Sequence, residues 1–167
     1  MKTEESIQFD YVENLILCKC GYNSVEMSEI SKMFLNVRQL NFSSNLIESL
    51  GSSHFVPSNL TFLDLSRNNL ISWKSVVNLL RNCSELVELN LTETGLNEFE
   101  LLEPVLKSLK IMIASKNPIA DFRSFSNLNL TGKTDIKLLY RSFCYLFLSV
   151  QFNFCYFSSK SNITLNS

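Results

Sequence analysis

Reactive side chains are scarce in this chain, which has five cysteines and one histidine in 167 residues. Cys18 and Cys20 lie one residue apart, yet no second Cys or His pair is near enough in sequence to complete a tetrahedral metal site. Cys20 is therefore expected to be structural. His54 stands alone in the stretch GSSHFVPS, and no Cys or Ser sits at a nucleophile elbow or beside a base. Gly21, Gly51, Gly95 and Gly132 are the glycines, and they form no phosphate-cradling loop. No catalysis, metal or cofactor is expected.

The informative spacing belongs to amides. Asn45, Asn68 and Asn117, with Cys20 and Thr94 at the equivalent places, fall 25, 23, 26 and 23 residues apart. An Asn amide can serve backbone groups that a chain leaves unpaired where it quits a strand; Cys can replace it, and Thr partly can. Trp73, straight after a turn in LISWKSVV, is expected to pack where a strand passes into a helix, with contact to a partner as the other reading.

These positions are held by a recurring apolar frame. Leu60, Leu63, Leu65, Asn68 and Leu70 fill the phrase L-x-x-L-x-L-x-x-N-x-L, and Leu86, Leu89, Leu91, Thr94 and Leu96 fill it again. Val12, Leu15, Leu17, Cys20 and Tyr22 make an earlier copy, as do Val37, Leu40, Phe42, Asn45 and Ile47. Leu109, Met112, Ala114, Asn117 and Ile119 make a fifth. In a strand alternate side chains point to opposite faces, so the fourth and sixth residues of each phrase turn inward together. One such unit cannot bury its own edge, and neighbours must stack. The expected fold is an α/β leucine-rich repeat solenoid of about five repeats, with parallel strands on the concave face and helices or helical turns on the convex one.

Between the phrases, SVEMSEISKMFLN places Val25, Ile30, Met33 and Phe34 at helical spacing, and SWKSVVNLLRNCSEL does so for Val76, Val77, Leu79, Leu80 and Cys83. EFELLEPVLKSL reads likewise, with Pro104 placed to shorten or kink the helix. Residues 1–11 form a lead-in and residues 12–133 the repeat domain. Phe125, Leu128 and Leu130 start a sixth phrase, but Lys133 occupies its Asn position.

From 134 to 167 the composition shifts to Phe, Tyr, Ser and Asn, and an irregular tail is expected. Ser142 to Ser159 is eighteen residues without a charge, between Arg141 and Lys160, long enough to be weighed as a membrane anchor. A folded cap over the last repeat is a second reading. Translated AT-rich non-coding sequence, as from a truncated splice form, is the third.

Net charge of −1 with no basic run argues against nucleic-acid binding. The polar, acidic start MKTEESIQFDYVENL and the unpaired number of cysteines point to a reducing, cytoplasmic setting, where Asn-x-Ser/Thr triplets such as those at Asn41, Asn59 and Asn90 stay unglycosylated. A protein partner is expected on the outward strand residues. One row is Ile16, Asn41, Asp64, Asn90 and Ile113; the next is Asn14, Gln39, Phe62, Glu88 and Ile111. Gln39, Asn41, Phe62, Asp64, Glu88, Asn90 and Glu93 are the candidate contacts, against the alternative of an ordinary solvated face.

The segment LDLSRNNLISWKSVVNLLRNCSELVELNLTETGL, with Ser72-Trp73 after the strand turn, resembles the repeat region of tubulin-folding cofactor E and its shorter relative. YVENLILCKCGYNS and NVRQLNFSSNLIES resemble the entry repeats of that region, so the likeness covers about residues 12–120. It implies a cytoplasmic, cytoskeleton-associated chaperone that binds α-tubulin in tubulin folding and heterodimer assembly. Full-length cofactor E adds a glycine-rich CAP domain and a ubiquitin-like domain, and the residues here match neither, which implies a truncated module. A generic repeat adaptor or regulatory subunit for a phosphatase or ubiquitin ligase is the competing expectation, and a scaffold tethered through 142–159 is a third.

Overall fold

The computed structural model describes residues 7–50, 56–70, 72–98 and 108–119, with the strand backbones at 137–139 and 163–164. Strands β1 (Asn14–Ile16), β2 (Gln39–Asn41), β3 (Phe62–Asp64), β4 (Glu88–Asn90) and β5 (Ile111–Ile113) run parallel in chain order. Helix α1 (Ser24–Ser31) lies between β1 and β2, and α2 (Trp73–Leu80) between β3 and β4. Among the described residues the architecture is thus α/β, five parallel strands with two helices.

The register follows the apolar frame. Leu15, Leu40, Leu63, Leu89 and Met112 pair side by side across the five strands. From Leu40 to Met112 this row is buried, as is the second inward row of Phe42, Leu65, Leu91 and Ala114. A one-residue slip in any strand would turn its leucine to the outward face, so the period-2 pattern fixes the pairing. At the β1 end Leu15 and Leu17 are only partly buried.

α2 closes the core from the other side. Its buried residues are Trp73, Val76, Val77, Leu79 and Leu80, with Cys83 beyond its end, which matches the face expected from the sequence. Trp73 opens the helix and is among the largest fully buried side chains, so packing at the strand-to-helix passage is its observed place.

In the first layer Ile30 and Phe34 pack against the core as expected, and α1 departs from expectation at Val25. Asn23 caps it, its Oδ1 accepting from Val25 N at 2.9 Å and Glu26 N at 3.1 Å, while Asn23 N donates to Glu26 Oε2 at 2.8 Å. That reciprocal capping box sets the start of the first turn. Met27 goes inward with Ser24, Ser28 and Ser31, and Val25, expected inside, is 62% exposed. Phe9 covers the far end of this layer, its ring stacked on Phe34 at 5.1 Å and its N–H donating to Met33 O at 2.8 Å. The lead-in is tied to the first layer through these contacts.

The sheet also continues into the stretch expected to be irregular. β6 (Lys137–Leu139) pairs parallel to β5, placing Lys137 in register with Ile111, and β7 (Ile163–Thr164) pairs antiparallel to β6. No phrase announces β6, because the residue at the Asn-equivalent place is Phe143. His54, Pro104, most of the helix expected near 98–109 and the uncharged run 142–159 lie outside the described residues. Among the described residues, no helix is long and apolar enough to cross a membrane.

Candidate functional site: the outward strand face and its turns

Every strand of the first five leaves the sheet through a turn of one form. Lys19, Ser44, Arg67, Glu93 and Lys116 all adopt left-handed backbone with φ between 55° and 58°, each immediately before the Asn-equivalent position. Non-glycine residues rarely hold that conformation without support. Support comes from a ladder of backbone bonds between turns, with Lys19 N to Ser43 O at 3.1 Å, Ser44 N to Ser66 O at 2.8 Å, Arg67 N to Thr92 O at 2.7 Å and Glu93 N to Ser115 O at 3.0 Å.

The buried amides complete it. Asn45 Nδ2 donates to Leu17 O at 2.8 Å and to Phe42 O at 2.9 Å, while its Oδ1 accepts from Cys20 N and Tyr22 N at 3.0 Å each. Asn68 repeats the arrangement toward Phe42 O and Leu65 O, and Asn117 toward Leu91 O and Ala114 O. Thr94 does part of this. Its hydroxyl lies 2.9 Å from Leu91 O and 3.1 Å from Asn117 Oδ1, but it has no amide group to offer the preceding turn. At Cys20 the backbone N–H is the working group; the thiol is exposed, 3.5 Å from Cys18 O.

The outward face is laid out by the same register. Asn14, Gln39, Phe62, Glu88 and Ile111 form one row, and Ile16, Asn41, Asp64, Asn90 and Ile113 the next. Gln39 is exposed, whereas Asn41, Phe62, Asp64, Glu88 and Asn90 are half-buried. Sequence reasoning placed these six side by side, and the structure brings them together.

It missed what three of them already do. Asn41 Oδ1 accepts from Ser43 N at 2.9 Å, Asp64 Oδ1 from Ser66 N at 2.8 Å, and Asn90 Oδ1 from Thr92 N at 3.1 Å. Each is a side chain closing a turn on the backbone two residues on. The signal was present as Asn41-Phe42-Ser43, Asp64-Leu65-Ser66 and Asn90-Leu91-Thr92, two of which read as glycosylation triplets. Asn90 Oδ1 also accepts from the Thr92 hydroxyl at 2.7 Å.

Glu93 stands elsewhere than expected. It sits in the left-handed turn row, not on the strand face, and its carboxylate meets two cations. Arg67 Nε is 3.3 Å from Oε2, and Lys116 Nζ hydrogen-bonds Oε1. Foremost the Lys116 hydrogen bond, then the charges of Lys116 and Arg67, hold this carboxyl below its ordinary value. Arg67 and Lys116, 26 and 23 residues from Glu93 by way of adjacent turns, carry no mark in the sequence that would have paired them with it.

Of the cysteines described, Cys83 is buried and its thiol is pushed up to about 12 by that burial, which makes it a core hydrophobe and a poor nucleophile. Among the described residues no group of three His, Cys, Asp or Glu side chains is arranged to hold a metal ion. No protein-family model matches the chain, and no curated protein matches it.

Proposed function

We propose that the chain is a leucine-rich repeat solenoid of about five repeats that works as a non-catalytic protein-binding module. One observation above others supports this reading: three adjacent strands of the five, in a single register, lay Gln39, Asn41, Phe62, Asp64, Glu88 and Asn90 side by side on the face opposite the core. Parallel strands of three residues, each followed by a left-handed residue and a buried amide or its substitute, are what a stacked repeat requires. On this reading Asn45, Asn68, Asn117 and Trp73 hold the stack, with the backbone of Cys20 at its first turn.

The first candidate partner is α-tubulin. The resemblance of residues 12–120 to the repeats of tubulin-folding cofactor E supports reading the chain as a cofactor E-like chaperone that acts in the cytoplasm on tubulin folding or heterodimer assembly. It would do so by holding a surface, without a cofactor. The strand face suits this work, because a half-buried aromatic, Phe62, lies beside polar groups that can set orientation.

The test is retention of purified α-tubulin by the immobilised full chain, beside a Glu88→Lys variant of matched circular dichroism. Retention by the first and its loss in the second is the expected result. A folded chain that ignores α-tubulin would make it an adaptor or regulatory subunit for another protein.

A further inference from the structure

The charges on the outward face of strands β1 to β5 are all of one sign; the next strand, β6, carries Lys137 in register with Ile111, two strands from Glu88. Of the ten outward residues of β1 to β5, only Asp64 and Glu88 are ionic. They lie diagonally on adjacent strands, since Asp64 pairs with Asn90 and Glu88 with Phe62. Diagonal neighbours on a sheet are about 7–8 Å apart, within reach of one long side chain. Both are half-buried, and among the described residues neither enters an ion pair; the pairs formed belong to Glu29 and Glu93. Arg38 and Lys110, exposed just ahead of β2 and β5, form none with them.

At Glu93, one turn away, the fold supplies two cations to a single carboxylate, while among the described residues no cation pairs with either carboxylate of the strand face. Asp64 Oδ1 accepts from Ser66 N, and among the described residues its Oδ2 has no hydrogen-bond donor. Beside this acidic diagonal stand apolar side chains, Phe62 next to Glu88 in one row, and Ile111 and Ile113 on β5. Like charges on a half-buried surface favour a cation from outside, and a planar guanidinium can bridge two carboxylates while stacking on an aromatic ring.

We propose that the occupant of this face is a protein segment in which an arginine is flanked by apolar side chains. The guanidinium sits between Asp64 and Glu88 with its stem along Phe62, and the apolar neighbours lie on Ile111 and Ile113. The inference rests on the docking role assigned to the face above, and it adds the chemistry of what docks there.

Panning a phage-displayed library of twelve-residue peptides against the immobilised full chain tests it. Recovered peptides are expected to carry arginine beside apolar residues and to lose affinity about tenfold when that arginine is exchanged for citrulline, a charge-pair effect of ordinary size. Their binding should weaken as salt rises. Asp64→Asn and Glu88→Gln should each lower affinity several-fold, while Glu85→Gln, in the exposed turn after α2, leaves it unchanged. Recovery of acidic or neutral peptides, or indifference to citrulline, would overturn the proposal. In that event a photocrosslinker at Gln39 separates the two ideas: crosslinked peptides would leave docking at this face intact and remove only the arginine. An absence of crosslinks, or of any recovered peptide, would remove both.

Discussion

The amide nitrogen of Asn68 lies 3.0 Å from the carbonyl oxygen of Phe42, twenty-six residues earlier and one strand away. The same side chain reaches Leu65 O at 2.8 Å within its own turn and accepts from Ile47 N at 3.1 Å. One buried amide thus joins two successive turns through backbone groups that would otherwise lack partners. Asn68→Ala removes all of these bonds and leaves buried polar groups unpaired, at a cost of about 3 kcal/mol. Urea unfolding monitored by circular dichroism should show it as a lower midpoint.

Thr94 is the place where that amide row is interrupted. Fully buried at the Asn-equivalent position, it serves Leu91 O and Asn117 but offers nothing comparable to the turn before it. Thr94→Asn supplies a donor toward Leu65 O and an acceptor for the N–H groups of the preceding turn. A gain of about 1 kcal/mol is expected, the net worth of one added hydrogen bond, and it should appear as a raised urea midpoint.

Trp73 begins α2 and fills the core beneath the strands. Trp73→Ala should cost about 3–5 kcal/mol by the cavity it opens, whereas Trp73→Phe should cost less than half of that. Thermal unfolding of the two variants checks the order.

Glu93 links stability to pH. Its carboxyl is held below the ordinary value of 4.5 by the Lys116 hydrogen bond first, with the Lys116 and Arg67 charges adding to it. A depressed folded-state value gives stability that is present above the unfolded value and lost as pH falls through the folded one. Glu93→Gln should therefore unfold with a shallower acid dependence below pH 4.5 than the parent chain does.

The thiols should divide by burial. With its value pushed up to about 12, Cys83 should resist iodoacetamide at pH 8 in the folded chain, while exposed Cys18 and Cys20 are alkylated. Peptide mass spectrometry reads the difference, and urea should abolish it.

The sequence displayed most of the frame because its apolar period is strict. Leu40, Leu63 and Leu89 stand at equal places in their phrases, and a period of two admits one register. α2 was readable for the same reason, through Val76, Val77, Leu79 and Leu80. The buried face of α1 was readable only in part: Ile30 and Phe34 pack against the core as their spacing predicts, but Asn23 and Glu26 fix the helix start and turn Met27 inward in place of Val25. The company of Glu93 was not readable. Arg67 and Lys116 become its neighbours only once turns more than twenty residues apart are stacked, and a single sequence carries no record of that pairing. The short turn bonds of Asn41, Asp64 and Asn90 were local and readable, but their triplets pointed first to another chemistry.

The most direct test compares the two sides of the molecule in one binding assay. A face variant, Gln39→Ala with Phe62→Ala and Glu88→Ala, and a back variant, Lys74→Ala with Asn82→Ala and Glu85→Ala, are each titrated with α-tubulin after circular dichroism shows both folded. All three back positions are exposed, on α2 or in the turns that follow it. The account predicts that the face variant binds at least about tenfold more weakly and that the back variant binds as the parent does. Loss in the back variant with the face variant unaffected would contradict it.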